Sequence, residues 1–265
     1  MAEPGVRFLV NPSSGRGTAK ANLDRIRVLA SRHGAGLVVS RKVSDLAEQA
    51  RRAAEDGIER LLVAGGDGTM HYAAQGLAGS DCAMGVIPLG SGNDLAGTLG
   101  IPPDLDVAVE RALTGEIRRI DLLRIGETFS LSYAGVGFDS EVTRFANEVK
   151  ILRGPLIYFY AVIHTLITFE PPRMKVVHDG GAFEGRVMFT VVNNLPRFGG
   201  GMRIAPDARI DDGLLDLVIM REMSKSRLIR LFLSWKASPQ TEREEVLRVR
   251  TTKAVLSYGC PPMSL

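Results

Sequence analysis

Cysteine is nearly absent: Cys82 and Cys260 are the only two among 265 residues. Two thiols make no disulfide framework, and reduced thiols in a cytosolic protein are the simpler reading. A strong charge of one sign is also missing. The 33 Lys and Arg against 30 Asp and Glu leave a net charge of +3, too mild to mark nucleic-acid binding and compatible with an anionic partner. No apolar run is long enough to span a bilayer. The longest uncharged stretch, Gly154 to Phe169, falls short of the ~18–20 residues required. Met1-Ala2-Glu3-Pro4 lacks the basic and apolar blocks of a secretory signal. Internal repeats and low-complexity tracts are lacking too. What is present is globular in proportion, 45% hydrophobic and 24% charged, with length for one large domain or two ordinary ones. The 29 glycines imply tight turns or close backbone approach at several places.

The first half alternates strand and helix signals. Strands are expected at Val6 to Val10, Leu37 to Val39, Leu61 to Ala64 and Met84 to Pro88. Helices are expected at Ala19 to His33, Asp45 to Asp56 (with Ser44 as N-cap), Met70 to Leu77 and Asp104 to Leu113. Such units predict a parallel sheet covered by helices, with ligands at the carboxyl ends of its strands. After about Thr114 strands dominate: Arg119 to Arg124, Thr128 to Ala134, Met174 to Val177, Val187 to Val192 and Leu215 to Met220. Helical patterns remain at Ser140 to Glu148, Gly154 to Phe169 and Ser224 to Trp235, and Gln240 to Glu245 reads as a loop. An α/β domain over 1–118 and a β-rich domain over 119–265 follow from this.

Three glycine- and serine-rich loops fall at strand ends in the first half. Asn11-Pro12-Ser13-Ser14-Gly15 joins a strand to a helix, where backbone N–H groups and the helix dipole can cradle a phosphate. It lacks the Lys-Ser/Thr of a Walker loop, and its composition is also ordinary turn chemistry. Gly65-Gly66-Asp67-Gly68-Thr69 opens a helix directly after a buried strand. Its glycines admit a phosphate chain, Asp67 offers a hard oxygen ligand for Mg2+, and Thr69 offers a hydroxyl. Gly90-Ser91-Gly92-Asn93-Asp94 follows the next strand. Ser91 can donate to a phosphate, and Asp94 serves as a helix cap, a metal-organising carboxylate, or both.

In order and spacing these loops resemble the diacylglycerol kinase catalytic-domain family, in its soluble bacterial branch. The resemblance continues through Ile120-Asp121-Leu122, Gly135-Val136-Gly137-Phe138-Asp139, Gly199 to Ala208 and Asp211 to Leu217. It implies an ATP-binding α/β domain like that of phosphofructokinases and NAD kinases, a β-rich second domain, and an active site in the interdomain cleft. It also implies transfer of the γ-phosphoryl of Mg-ATP to a lipid alcohol, with diacylglycerol, giving phosphatidic acid, as the default. Asn11, Pro12, Ser13, Ser14, Gly15, Ser40, Gly65, Gly66, Asp67, Gly68, Thr69, Ser91, Gly92 and Asn93 would then meet the nucleotide. Asp67, Asp94 and Asp121 would organise the catalytic Mg2+ through water. Asp212, with the carbonyls of Arg209 and Leu214, would hold a second, structural Mg2+. The expected setting is the cytoplasm, peripheral at the inner membrane face, with a lipid substrate, no nucleic acid, and a homodimer unsurprising.

Two departures stand out. Relatives follow the Gly-Gly-Asp-Gly-Thr loop with an apolar residue, Asn and Glu, whereas this chain has Met70, His71 and Tyr72. His71 reads as a cleft hydrogen-bonder or as a satisfied surface histidine. Relatives also carry a terminal Asp-Gly-Glu whose Glu is the expected base, and no acid follows Glu245 here, so the second domain reads as shortened at its C-terminus. NAD kinase, which shares the Gly-Gly-Asp-Gly-Thr loop, and a nucleotide binder with impaired catalysis are the rival readings. The apolar stretch with Tyr158, Phe159 and Tyr160 reads as a core helix or a lipid-facing one. The basic stretch with Lys225, Arg227 and Arg230 reads as a solvated face or one toward anionic lipid.

Overall fold

The computed structural model describes residues 5–148, 155–197, 199–237 and 244–258. Cys260, the N-terminal tetrapeptide, Arg153-Gly154 and most of the 240–245 loop lie outside them, as do the side chains of Tyr158 and Phe159. The chain forms two compact units, one of 1–132 with 197–201, the other of 133–196 with 202–265.

The first unit is built on a four-stranded parallel sheet. Its strands β1 (Val6–Val10), β2 (Gly36–Val39), β3 (Arg60–Gly65) and β4 (Ala83–Pro88) lie in the order β2-β1-β3-β4. Helices α1 (Thr18–Ala21), α2 (Leu23–Arg32), α3 (Asp45–Glu55), α4 (Asp67–Leu77), α5 (Asp94–Thr98) and α6 (Leu105–Thr114) alternate with the strands. Both sheet faces are covered, so β3 is buried from Leu61 to Gly65, as parallel strands require. Phe8, Val10, Leu62, Ala64 and Ile87 pack on Ile26, Leu29, Leu105 and Val109. The helix expected over Ala19 to His33 breaks at Asn22, whose side-chain amide donates to the Thr18 carbonyl at 2.9 Å. Ser44 stands at the N-cap of α3 without a side-chain hydrogen bond. Asp104 does cap α6, accepting from the Val107 N–H at 3.0 Å.

A hairpin of β5 (Leu123–Ile125) and β6 (Thr128–Ser130) closes this unit. It belongs there because β6 packs against α4. The strand expected over Arg119 to Arg124 therefore begins only at Leu123. The strand expected over Thr128 to Ala134 divides between β6 and β7 (Tyr133–Gly137), across the limit between the units.

The second unit contains an antiparallel sheet of β7, β8 (Arg173–His178), β9 (Gly181–Asn193), β10 (Leu215–Arg221), β11 (Val246–Thr251) and β12 (Ala254–Tyr258). The long β9 serves two sets of neighbours. Residues 181–186 pair with β8, and the rest pair with β10 on one side and β7 on the other. Met174, Val176, Val187, Leu217 and Ile219 form its apolar core. Helices α7 (Phe138–Glu148), α8 (Pro155–Thr168) and α9 (Lys225–Ala237) complete the unit. Val246–Thr251 and Ala254–Tyr258 form two strands that the sequence reading did not anticipate: β11 pairs with β10 and β12 with β8. No helix among the described residues is long and apolar enough to cross a membrane.

Candidate functional site

In the parallel sheet, β1, β2, β3 and β4 deliver Asn11, Ser40, Gly65 and Leu89 to one edge. Three loops are knitted together there. The Asn11 amide donates to the Thr69 hydroxyl at 3.0 Å, and the Ser14 hydroxyl lies 2.9 Å from the same atom. Asn11 Oδ1 accepts from the Ser13 N–H at 3.1 Å, which shapes the turn around Pro12. Thr69 is only 3% exposed, so its hydroxyl is an internal tie between loops. The outward-facing part of the loop is backbone. A Cβ at Gly68 would meet nothing within 4 Å, and the N–H groups of Asp67 and Gly68 come before the first bond of α4, from the Thr69 N–H to the Gly66 carbonyl at 2.9 Å. That combination is an anion site in kind.

Two glycines are demanded by packing. Gly15 has φ +63, and a Cβ there would lie 2.0 Å from the Leu89 carbonyl. A Cβ at Gly90 would lie 2.4 Å from the Gly66 Cα. Any other residue forces the first and third loops away from their neighbours. Asn93 holds the third loop in shape at φ 55, exchanging hydrogen bonds of 2.9 Å with the Gly90 backbone.

These loops bring two carboxylates together. Asp67 Oδ1 accepts from the Leu95 N–H at 3.3 Å, at the start of α5. Burial pushes the Asp67 carboxyl up, and the Asp94 charge adds to the rise, while the N–H groups of α5 oppose it. Asp94 is 6% exposed. Its Oδ2 accepts from the Gly200 N–H at 2.9 Å, and its Oδ1 is buried without a partner. An orphaned carboxylate oxygen beside a second, half-buried carboxylate is a donor set suited to a hard divalent cation. Among the described residues no three His, Cys, Asp or Glu converge as a metal cage. A cation here would complete its shell with water and phosphate oxygens, the usual manner of Mg2+.

The remaining expected residues are placed as follows. Ser40 is buried at the end of β2, its N–H on the Val10 carbonyl at 2.9 Å and its hydroxyl without a partner. Ser91 and Gly92 are exposed, and a Cβ at Gly92 would lie 2.8 Å from Asp67 Oδ2. Asp121 is half-buried on the extended segment leading to β5. His71, one turn beyond Asp67, has Nε2 2.8 Å from Gln75 Nε2, and burial pushes its imidazole down toward the neutral form.

In the second unit Asp212 sits in a turn, its Oδ1 accepting from the Leu214 N–H at 3.1 Å and its Oδ2 paired with Arg250. Arg250 stands opposite Asp216 across the β10–β11 pair, with Nε 3.8 Å from Asp216 Oδ1. Burial, with the Asp212 and Asp207 charges behind it, raises Asp216 from 3.8 to about 6, against the pull of Arg250. Asp216 Oδ2 is buried without a partner. Where the resemblance implied a second Mg2+ at Asp212 with the Arg209 and Leu214 carbonyls, a guanidinium lies on the Asp212 carboxylate. The same unit has a pocket of about 510 Å3 between α7, α8 and the ends of β8 and β12, lined in part by Arg144, His164, Phe169 and Tyr258. His164 stacks on Phe145 with ring centroids 3.8 Å apart.

Sequence reasoning missed the Gly200 N–H on Asp94 and the Arg250 guanidinium between two acids. The Gly199-Gly200-Gly201 run was a signal for the first. The second needed strand register.

Comparison with known proteins agrees with these units. Residues 5–125 match the diacylglycerol kinase catalytic domain, and residues 132–263 match the YegS C-terminal NAD kinase beta sandwich-like domain. A diacylglycerol kinase of Bacillus subtilis is 32% identical over 85% of this chain and 76% of its own length. A diacylglycerol kinase of Mycobacterium tuberculosis is 33% identical over 98% of this chain and 86% of its own. The crystal structure of a diacylglycerol kinase from Bacillus anthracis superposes with a TM-score of 0.73 at 23% identity, over 96% of this chain and 85% of that one, and shares the fold. The chain belongs to the bacterial diacylglycerol and lipid kinase family.

Proposed function

We propose that this protein is an ATP-dependent lipid kinase that transfers the γ-phosphoryl group to the hydroxyl of diacylglycerol, working in the cytoplasm at the inner membrane face. The observation that carries the reading is the Asp67–Asp94 pair, set between glycine loops at the carboxyl edge of the sheet. The Gly65–Thr69 loop and the start of α4 receive the phosphates through backbone N–H groups. Asn11 and Ser14 hold that loop in register through Thr69, and the Ser13 N–H fixes the Asn11 side chain. Asp67 and Asp94 are the residues that would hold Mg2+, with Asp121 as a third acid. When bound, Mg2+ supplies neutralisation of charge on the transferring phosphoryl oxygens. Leu95 and Gly200 keep the two carboxylates aimed by donating backbone N–H bonds to them. The second unit receives the lipid alcohol, where the pocket beside α8 mixes apolar and polar lining. Positioning and fixed electrostatics supply most of such a transfer.

The test is transfer of labelled γ-phosphate from Mg-ATP to diacylglycerol, monoacylglycerol, sphingosine and phosphatidylglycerol in mixed micelles, with NAD as a control. Label in diacylglycerol is the expected result. Label in NAD, or ATP binding with no transfer to any acceptor, would overturn it.

A further inference from the structure

Arg197 opens the 197–201 segment, which belongs to the first unit, and is half-buried. Its guanidinium lies against helix α5 at Gly97. A Cβ at Gly97 would stand 2.8 Å from Nη1, 3.4 Å from Cζ and 3.8 Å from Nε. Gly97 is inside α5, where glycine is disfavoured relative to alanine, and its φ is not positive. The backbone therefore does not demand glycine at this position. What glycine supplies is room for the guanidinium.

Two ties fix the Arg197 segment at the paired carboxylates. The Gly200 N–H donates to Asp94 Oδ2 at 2.9 Å, and a Cβ at Gly92 would lie 3.3 Å from the Gly200 Cα. Gly97 follows Asp94 by three residues, so the seat of the guanidinium is one turn of helix from Asp94. Among the described residues no carboxylate pairs with Arg197. Asp67 is turned to the Leu95 N–H and Asp94 to Gly200. A half-buried cation is costly unless an anion meets it. Ser91, Gly92, Gly199 and Gly200 are exposed, so the ground beside it is open to an incoming anion. The planar fork of arginine matches a phosphate with two parallel hydrogen bonds.

We propose that Arg197, seated on Gly97, is a catalytic residue that grips the terminal phosphate of the nucleotide. The proposal rests on the lipid-kinase reading and deepens it. The loop at the head of α4 holds the phosphate chain, and Asp67 and Asp94 stand at its metal-bearing end. Arg197 lies beyond Asp94 on α5, so the outermost phosphate is the one within its reach. In the transfer the acceptor oxygen bonds to the γ-phosphorus as the bond to the ADP oxygen breaks, and the hydroxyl proton passes to water. Arg197 donates to the phosphoryl oxygens throughout and exchanges no proton.

The experiment is titration calorimetry of the full chain with the Mg2+ complexes of β,γ-imido-ATP, ADP and AMP. Arg197→Gln should weaken the imido-ATP complex about tenfold or more and leave ADP and AMP unchanged. Arg197→Lys should recover part of that loss, because a point charge replaces a two-pronged donor. Gly97→Ala keeps the cation but fills its seat. It should show a smaller loss in the same sense while melting at or above the temperature of the unmodified protein, which keeps the test open should Arg197→Gln fail to fold. Equal losses toward all three nucleotides, or none, overturn the proposal. So does a loss confined to the KM of a phosphate-bearing acceptor such as phosphatidylglycerol, which would give the guanidinium to the acceptor. A loss selective for imido-ATP in a protein that labels no acceptor upholds Arg197 and defeats the lipid-kinase reading instead.

Discussion

Two acidic centres among the described residues are neutralised differently. Asp67 and Asp94 in the first unit receive backbone N–H groups, Asp67 from Leu95 and Asp94 from Gly200. Asp212 and Asp216 in the second unit receive a guanidinium, Arg250. Backbone dipoles leave negative charge in place, whereas an arginine cancels it. On the proposed reading the first centre waits for a cation brought with the nucleotide, and the second carries its own. On that reading the contrast separates a centre built to react from one built to hold a sheet together.

The largest effect is expected at Asp67. Asp67→Asn should reduce phosphoryl transfer about 1,000-fold, the scale on which electrostatic stabilisation acts. The fold should keep its melting temperature or gain slightly, because a repelled, half-buried carboxylate is removed. Steady-state kinetics with calorimetry would check both halves.

Next come the glycines of the first centre. Gly90→Ala drives a Cβ to 2.4 Å from the Gly66 Cα, and should destabilise by about 2 kcal/mol while weakening ATP binding. Gly68→Ala, whose Cβ points into open space, should leave urea unfolding unchanged or raise stability by about 0.5–1 kcal/mol. Its ATP affinity, read by titration calorimetry, should nevertheless fall, because phosphates approach that backbone.

In the second centre, Arg250→Leu leaves two carboxylates facing each other without a counter-ion. A loss of about 2 kcal/mol is expected, partly recovered by added Mg2+. A variant whose melting temperature ignores Mg2+ would contradict cation suitability at Asp212.

The smallest effect is a pH dependence. Asp216 is raised from 3.8 to about 6 in the folded chain, so the folded form holds its proton more tightly than the unfolded form. That stabilisation is full below the unfolded value and is lost as pH rises through 6. Asp216→Asn should therefore melt a few degrees above the unmodified protein at pH 8 in chelator, with the gap closing as pH falls toward 4.

How much of this was legible in the sequence follows the range of each interaction. The Gly65–Thr69 loop declared itself because a buried apolar run, two glycines and an acid are contiguous. The Asn11–Thr69 tie spans 58 residues, yet both partners sat in motifs already marked. The Gly200–Asp94 bond spans 106 residues and depends on 197–201 returning to the first unit, which local patterning does not encode. β11 was hidden because Arg248 and Arg250 interrupt its apolar residues, and only its pairing opposite Asp216 gives Arg250 meaning. The break at Asn22 was hidden because a side chain bonding backwards to Thr18 competes locally with helical periodicity that continues on both sides.

The most direct measurement is transfer of labelled γ-phosphate to diacylglycerol by the unmodified chain, Asp67→Asn and Arg250→Leu, compared well below the melting temperature of each. The account predicts transfer by the first, almost none by the second, and near-normal transfer by the third. Equal transfer by Asp67→Asn and the unmodified chain, or an equal collapse in both variants, would contradict it.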